Sequence, residues 1–384
     1  MKAVVNAKII TDGKVLEGYN LLFSDNKIVE ITKEFPLLAR LIDAKGLYLS
    51  AGFIDIHIHG SAGYDVMDAT PRALDKISKS ILQTGTTSFL ATTMTMSRED
   101  IKKALVNIER FLKLKSSSAK HSPRAKILGV HLEGPFINIE KKGAQNADYI
   151  QVPNFELIEP FMDIIKMITI APEVDWAREF IFYLQKHYPH VILSIGHSNA
   201  TYEQSKKSFD WGISHATHLF NAMNPLHHRE PAVVGAVLEE EHLSCDIIAD
   251  LIHIHPSFFK LLYRLKKEQL ILITDAMRAG CLSNGVSEIG GQRVVVRDGE
   301  ARLEDGTLAG SVLKLNEALR NFYRYTDISI PELVAMVTSI PARKLGLEIG
   351  ELKEGYPADL VLFDEDFNIK KCFVEGEAII LNME

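Results

Sequence analysis

The sequence predicts an α/β protein, namely a (β/α)₈ TIM-like barrel with a small β-sandwich domain built from both termini. Three observations lead to this fold. Strand and helix patterns alternate from residue 53 onward. The strand candidates are almost continuously apolar, as the strands of a parallel sheet covered on both faces must be. Short β-branched runs with turn signals occupy both ends of the chain, and neither end is long enough to form a stable sheet alone.

Eight apolar segments are candidates for the barrel strands. They are Phe53–His59, Thr87–Met94, Ile127–Glu133, Met167–Glu173, Val191–His197, His215–Phe220, Leu243–Asp250 and Leu270–Asp275. Helical patterns between them include Pro71–Gly85, Arg98–Leu114, Asp175–His187, Ala200–Trp211 and Pro256–Lys267. Eight such units over about 220 residues match the size of a barrel. A doubly wound open sheet is the competing arrangement, but no Gly-x-Gly-x-x-Gly turn follows the first strand.

The remaining segments complete the predicted domains. Terminal strand candidates are Ala3–Ile10, Lys27–Ile31, Leu47–Leu49, Asp359–Asp364, Ile369–Val374 and Ala378–Leu381. After the eighth barrel strand, residues Gly285–Gly306 predict a hairpin insertion, and Leu313–Tyr325 and Pro331–Ser339 predict helices that close the barrel. We therefore expect residues 1–50 and 346–384 to form the small β domain and residues 51–345 to form the barrel.

Composition excludes several classes of protein. The 384 residues carry 43 basic and 50 acidic side chains, a net charge of −7, which gives no general attraction for nucleic acid. The most basic stretch, Lys113–Lys126, is interrupted by serines and Pro123 and is typical of a solvated loop. No apolar run approaches a membrane span and no signal peptide opens the chain. Three widely spaced cysteines, Cys245, Cys281 and Cys372, favour reduced thiols and a cytoplasmic location.

Six side chains of metal-ligand type fall at the predicted C-terminal ends of these strands, where such a barrel builds its active site. They are His57 and His59 (first strand), Glu133 (third), His197 (fifth), His218 (sixth) and Asp275 (eighth). Each alone has a structural interpretation, such as a buried hydrogen-bonded histidine, and the His-x-His pair alone divides evenly between that interpretation and a ligand pair. Together, at one rim, the six predict a metal site.

The predicted donor set is large for one ion. Four imidazoles and two carboxylates exceed the three protein ligands typical of a catalytic zinc ion. One ion would be held by His57, His59 and Asp275, and a second by His197 and His218. Two-metal barrels often bridge their ions with a modified lysine at the end of the fourth strand, but that position holds no lysine here. Glu133 is therefore the better candidate for the bridging or central ligand.

Hydrolysis of an amide or a similar carbonyl is the predicted reaction. A divalent ion makes water acidic enough to act as a nucleophile near neutral pH. A carboxylate must accept the proton of that water and later return it to the leaving group. Asp275, at the rim of the last strand, is placed for this task and is the predicted catalytic residue.

A second group of residues predicts an anion site. Backbone N–H groups near Asn221 and Ala222, together with the guanidinium of Arg229, would suit a phosphate. His253 adds a possible donor at the same mouth. The alternative for Arg229 is a surface ion pair with Glu230, and the sequence does not decide between the two.

Several motifs resemble those of the N-acetylglucosamine-6-phosphate deacetylase family of the amidohydrolase superfamily. The motifs are His131-Leu132-Glu133-Gly134-Pro135-Phe136, Lys142-Gly143-Ala144-Gln145-Asn146, Gly196-His197-Ser198, His218-Leu219-Phe220-Asn221-Ala222-Met223, Ile273-Thr274-Asp275-Ala276 and Gly306-Thr307-Leu308-Ala309-Gly310-Ser311. Two more, Ala51-Gly52-Phe53-Ile54-Asp55 and Gly355-Tyr356-Pro357-Ala358-Asp359-Leu360-Val361, are general to the superfamily. The resemblance extends over essentially the whole chain.

The resemblance implies hydrolysis of N-acetyl-D-glucosamine 6-phosphate to D-glucosamine 6-phosphate and acetate. Glu133, His197 and His218 would hold the metal ion common to the family, and Asp275 would be the acid and base. The implied cofactor is Zn²⁺ or Fe²⁺, with Mn²⁺ or Co²⁺ as further candidates, at one or two ions per subunit. The sugar phosphate would contact Ala144, Gln145, Asn221, Ala222, Arg229, His253, Leu308, Ala309 and Gly310. A homodimer is implied, because the residue at Arg229 can reach across the subunit interface in this family.

Two positions vary within that family. Some members lack the paired histidines of the first strand and bind one metal ion, whereas His57 and His59 resemble those of members that can bind two. Some members have a histidine at Gln145 that helps to polarise the acetyl carbonyl, and here that task would fall to an amide donor or to the second ion.

Three alternatives are weighed against this function. Another amide or cyclic-amide hydrolase of the superfamily, such as a dihydroorotase-like enzyme, would usually need the absent lysine of the fourth strand. A non-catalytic assembly protein with the same fold should have lost ligands, yet all six are present. A nucleic-acid binder is disfavoured by the charge. The expected partner is a small sugar phosphate, with neither nucleic acid nor membrane.

Overall fold

Eight parallel strands form the central sheet of the computed structural model, which describes residues 1–115 and 123–379. The strands pair in sequence order. They are Phe53–Ile58, Thr86–Thr92, Lys126–Glu133, Ile165–Ile170, Ile192–Ile195, Ile213–Ala216, Ser244–Ile248 and Leu270–Ile273. The eighth strand returns to the first, since Asp275 N–H donates to the His57 carbonyl and His59 N–H donates to the Ala276 carbonyl, each at 2.9 Å. The predicted barrel is confirmed.

Several strands end earlier than the sequence predicts. The fourth, fifth and sixth strands stop at Ile170, Ile195 and Ala216, two to four residues before the predicted ends. Apolar character continues past the last ladder hydrogen bond because the loops at the rim are buried as well. His197, His218 and Asp275 therefore lie just beyond their strands instead of within them.

Helices surround the barrel. The α-helices of the described residues are Pro71–Ser80, Arg98–Lys115, Phe155–Ile158, Ala177–His187, Tyr202–Trp211, Ala232–Glu239, Phe259–Lys266, Leu315–Arg324, Ile330–Ala335 and Ser339–Lys344. The predicted helix Pro71–Gly85 ends as α-helix at Ser80 and continues as a 3₁₀ turn to Thr84, where Gly85 at φ 84° stops it. The predicted helix Pro331–Ser339 instead covers most of the short helix Ile330–Ala335 and the first residue of a second helix, Ser339–Lys344. Helix Ala232–Glu239 is mostly buried, so its sequence lacks the polar face that reveals a surface helix.

Both termini contribute to a small β domain, as predicted. One sheet contains, in spatial order, Lys27–Thr32, Asn20–Ser24, Lys2–Val5 and Arg40–Asp43. The other contains Glu377–Ile379, Ile369–Val374, Leu360–Phe363, Tyr48–Ala51, Lys8–Thr11 and Lys14–Leu16. Val4, Phe23, Ile9 and Phe373, which come from the two sheets, share one core. The predicted run Ala3–Ile10 is two strands in different sheets, separated by Asn6 at φ 56°. The domain boundaries at residues 50 and 345 stay a prediction.

The insertion after the eighth strand is a three-stranded antiparallel meander. Its strands are Gly285–Ile289, Gln292–Arg297 and Glu300–Leu303. Ile289 and Val294 pack with Met94 and Met277 of the barrel rim. The insertion therefore covers part of the C-terminal mouth of the barrel.

Two predicted features reach beyond the described residues. The basic stretch Lys113–Lys126 includes residues 116–122, and the strand Ala378–Leu381 includes residues 380 and 381, all of which lie outside the described part. In the described part, none of the helices combines the length and hydrophobicity that a membrane span requires. Cys245, Cys281 and Cys372 are unpaired.

A buried carboxylate joins the first and eighth strands below the rim. Asp55 accepts hydrogen bonds from the Thr274 hydroxyl at 2.6 Å and from the His57 N–H at 3.2 Å. Burial raises the pKa of Asp55 to about 7, and these hydrogen bonds act in the opposite direction. The Asp55–Thr274 contact therefore ties together the two strands that close the barrel.

We expect Thr274→Val to destabilise the protein by about 1–3 kcal/mol, because it removes a hydrogen bond from a buried carboxylate without changing the shape of the side chain. Thr93→Val is the matched control, since the buried Thr93 hydroxyl has no hydrogen-bond partner in the described residues. Thermal unfolding of both variants measures the difference. Equal losses of stability would contradict a special role for the Asp55–Thr274 contact.

Candidate active site

A cavity of about 350 Å³ opens at the C-terminal end of the barrel. His59, Glu133, His197, His218 and Asp275 line it. A larger cavity of about 680 Å³ lies between the N-terminal strands and the helices near Arg343, away from these five residues. The smaller cavity is therefore the one with convergent reactive groups.

The six predicted ligand side chains converge in two groups of three. One group is His57, His59 and Asp275, and the other is Glu133, His197 and His218; in each group the ligand atoms lie within 4.8 Å of one another. Oε1 of Glu133 is 3.0 Å from His218 Nε2 and 3.2 Å from His197 Nε2. The same oxygen is 3.4 Å from His57 Nε2. Glu133 thus stands between the groups, as a bridging ligand would.

The first group is held together by Asp275 and also contacts Glu133. Oδ1 of Asp275 is 3.2 Å from His59 Nε2 and 3.4 Å from His57 Nε2. Oε2 of Glu133 is 3.3 Å from His59 Nε2. Four imidazole Nε2 atoms therefore face two carboxylates in a buried space.

Local backbone geometry aims these side chains. His57 lies within the first strand and Glu133 is the last residue of the third. His197, His218 and Asp275 follow their strands with φ values of 48°, 32° and 48°, in the left-handed region. Side chains other than glycine adopt this region at a cost, so the surrounding structure must impose it. The turn removes each residue from the strand ladder and directs it toward the cavity.

The donor set fits a divalent transition-metal ion. Nδ1 of His197 is 2.8 Å from the Lys141 carbonyl oxygen, which only accepts, so Nδ1 carries the proton and Nε2 presents a lone pair to the site. Imidazole nitrogens with carboxylates suit Zn²⁺ or Fe²⁺ better than the all-oxygen sites of Mg²⁺ or Ca²⁺. In the described part of the chain, these are the two places where three such side chains converge.

The electrostatics favour ionised carboxylates. Burial by itself would raise the pKa of Glu133, but the charge of His57 and close polar contacts with His197 and His218 hold that pKa well below its ordinary value. Burial likewise opposes ionisation of Asp275, yet His57 and His59 lower its pKa. Both carboxylates are therefore anionic and able to accept a cation or a proton.

Gln145 supports Glu133 directly. Its Nε2 donates to Glu133 Oε2 at 2.8 Å, and its Oε1 accepts the Thr95 N–H at 2.7 Å, which fixes the orientation of the amide. The sequence assigned Gln145 to the substrate, and it does line the cavity. Both ends of its amide are engaged by the protein.

The predicted substrate residues divide into two sets. Those that line the cavity with Gln145 are Ala144, Asn221, Ala222, His253, Leu308 and Gly310. Ala309 is fully buried and packs in the core of the insertion. Arg229 is exposed and does not line this cavity; its Nη1 lies 2.8 Å from His228 Nε2. The alternative ion pair between Arg229 and Glu230 is not formed in the described residues.

Sequence reasoning missed five residues that line the cavity, namely Met94, Gly143, Ile289, Arg302 and Thr307. Thr307 adjoins the predicted Leu308–Gly310 loop and could have been included with it. Ile289 and Arg302 belong to the insertion, and nothing local in their sequence indicates that it folds over the mouth. Arg302 donates to Glu300 at 2.6 Å and to the Gly306 carbonyl at 2.7 Å, which holds its guanidinium at the rim.

Comparison with known proteins identifies the family. The model of the amidohydrolase family matches residues 48–379. The chain belongs to the amidohydrolase family. An N-acetylglucosamine-6-phosphate deacetylase from Bacillus subtilis is 39% identical over 98% of this chain and 96% of that protein. An N-acetylgalactosamine-6-phosphate deacetylase from Escherichia coli is 32% identical over 96% of this chain and 97% of that protein.

A solved structure gives the same result for the fold. The crystal structure of N-acetylglucosamine-6-phosphate deacetylase from Pasteurella multocida has a TM-score of 0.91 and 32% identity, and it covers 98% of this chain and 99% of that one. The resemblance noted in the sequence and the prediction of a hydrolase acting on an amide are confirmed. The amidohydrolase superfamily is metal-dependent, and the two groups of ligand side chains are where metal ions would fit in this protein.

Loss of a residue that only hydrogen-bonds to a metal ligand weakens metal binding by about 10–100-fold. We expect Glu133→Gln to weaken it by more than this, because Glu133 contacts both ligand groups. Glu173→Gln is the matched control. Glu173 accepts from Ser198 and Asn199 beside the site but has no hydrogen bond to the six ligand groups in the described residues. Elemental analysis of both variants after dialysis gives the metal content. Full metal content in Glu133→Gln would contradict the bridging position.

Proposed function

We propose that the protein hydrolyses N-acetyl-D-glucosamine 6-phosphate to D-glucosamine 6-phosphate and acetate. The observation that carries the proposal is the convergence of six metal-ligand side chains around Glu133 at the base of a small cavity. Relatives of similar length with this named activity support it. The cavity volume of about 350 Å³ suits a ligand the size of one sugar phosphate.

The chain's own residues move the proton. When bound, a divalent ion in such a site polarises the amide carbonyl and makes water a usable nucleophile near neutral pH. The water oxygen bonds to the acetyl carbon while Asp275, ionised and facing the cavity, accepts its proton. Asp275 then returns that proton to the sugar nitrogen as the carbon–nitrogen bond breaks, which leaves the amine and acetic acid. The acid then loses the other proton of the water and becomes acetate.

The other lining residues position the substrate in this proposal. Asn221, Ala222 and His253 would contact the phosphate, and the Leu308–Gly310 loop with Ala144 would enclose the sugar and acetyl group. His253 is already oriented, since its Nδ1 lies 2.6 Å from Asp250 Oδ2. Arg302 is the one arginine or lysine among the described residues that line the cavity, and it brings a positive charge to the rim.

We further propose a homodimer in which Arg229 serves the cavity of the partner subunit. Arg229 is exposed and lies outside the lining of its own cavity, which agrees with an action in trans. The three unpaired cysteines support a cytoplasmic location. The metal ion in this proposal is Zn²⁺ or Fe²⁺, one or two per subunit.

Another amide hydrolysis is the second candidate. The relative that acts on N-acetylgalactosamine 6-phosphate differs from the others in the sugar of its named substrate, so this sugar phosphate belongs in the assay. A cyclic-amide substrate of the dihydroorotase type is less consistent with the site, because the fourth strand, Ile165–Ile170, ends without a lysine.

An acetate-release assay tests the proposed function on the Zn²⁺- or Fe²⁺-loaded protein. We expect kcat/KM to be about 10- to 100-fold higher for N-acetylglucosamine 6-phosphate than for N-acetylglucosamine, because charge-assisted hydrogen bonds recognise the phosphate. Asp275→Asn should lower turnover by about 10²–10⁴-fold. Equal rates on the two sugars would refute phosphate recognition, and faster turnover of N-acetylgalactosamine 6-phosphate or dihydroorotate would favour the second candidate.

A mixing experiment tests the action of Arg229 in trans. Arg229→Met and Asp275→Asn should each be impaired alone. Dissociated and reassociated as an equal mixture, they should recover about a quarter of wild-type activity, since half of the dimers are mixed and each mixed dimer has one site with both residues intact. Recovery would not occur if Arg229 served its own subunit. Light scattering during chromatography establishes the oligomeric state of the same samples.

A further inference from the structure

Asp246, in the seventh barrel strand, is fully buried and has both carboxylate oxygens engaged by the sixth strand and its loop. Oδ1 accepts the backbone N–H of His218 at 2.5 Å, and Oδ2 lies 2.9 Å from Nε2 of His215. The Asp246 carbonyl also accepts the Leu219 N–H at 2.9 Å. Asp246 therefore accepts three hydrogen bonds, and together they hold the segment that presents His218.

His215 is oriented from its other side. Its Nδ1 lies 2.7 Å from the Ser244 hydroxyl, and Lys344 donates to the Ser214 carbonyl at 2.7 Å. The Ser244 hydroxyl also lies 3.2 Å from that carbonyl, so the tautomer of His215 follows from its other nitrogen. A carboxylate oxygen accepts, and Nε2, which faces Asp246, therefore carries the proton. The Nε2–H of His215 then donates to Asp246, so the carboxylate accepts two hydrogen bonds in fixed directions.

His218 needs such support because the strand does not supply it. The sixth strand ends at Ala216, and His218 follows at φ 32° in the left-handed region, which an imidazole side chain adopts only under constraint. Its Nε2 must reach Glu133 Oε1 at 3.0 Å and lie 3.1 Å from His197 Nε2. A small rotation about this residue would displace the imidazole from the other two ligands.

We propose that Asp246, oriented by His215, is a positioning residue that fixes His218 and thereby tunes the ion held by Glu133, His197 and His218. It acts on that ion and not on the other one, which His57, His59 and Asp275 would hold. In the described residues, Asp246 has no hydrogen bond to any of these three side chains. The proposal rests on the same metal site as the proposed function but does not depend on which amide is the substrate.

The test is a metal titration of the stripped full-length protein with Co²⁺, followed by its visible absorption spectrum and by competition with a chelator. In Asp246→Asn the amide cannot accept both hydrogen bonds, so one ion should bind about 10–100-fold more weakly and its spectrum should change. The other ion should keep its affinity. His215→Gln should give a smaller change in the same direction, and this variant replaces Asp246→Asn in the titration if Asp246→Asn does not fold.

Asp359→Asn is the matched control for loss of a buried aspartate. Asp359 accepts from the Glu375 N–H and pairs with Lys126, away from the metal ligands. It should lower thermal stability without changing Co²⁺ affinity or spectrum. The proposal would be overturned if Asp246→Asn changed stability alone, or if it weakened both ions equally. Because the readout is metal binding, failure of the proposed deacetylation would appear separately, as a wild-type protein that binds metal normally and releases no acetate.

Discussion

The structure depends on the burial of one carboxylate, Glu133, among four imidazoles. An isolated anion in this position would cost several kcal/mol in lost hydration, and only opposite charge or a cation makes the arrangement tolerable. The four histidines come from the ends of three strands, the first, fifth and sixth, so the barrel must bring distant segments together before the charge is compensated. Two features accompany this arrangement. The backbone is strained at His197, His218 and Asp275, and Gln145 and Asp246 hydrogen-bond to Glu133 and His218.

Much of the site was predictable because two general rules apply to the sequence. Apolar runs locate buried parallel strands, and the C-terminal ends of barrel strands face one common space. The residue types at those ends then define the chemistry without any knowledge of distances. His57 and His59 converge through strand alternation, whereas Glu133, from another strand, converges with them through barrel closure alone.

The unpredicted features have long-range causes. His197 and His218, at left-handed turns, have contacts with Lys141 and Asp246, which no local pattern encodes. The insertion covers the mouth through packing with Met94 and Met277, so the rim position of Arg302 is invisible to periodicity. The sequence did not predict the helix Ala232–Glu239, because the helix is mostly buried and therefore lacks an amphipathic pattern.

The shared sheet of the small domain has a consequence for biogenesis. Tyr48–Ala51 pairs with Leu360–Phe363, so one strand of this pair is synthesised before the barrel and the other after it. Until then its hydrogen-bonding edge is open to other nascent chains. Contacts of such high sequence separation form slowly. The barrel can therefore be largely assembled while the smaller sheet is still incomplete, and partly folded species of this kind are prone to aggregate.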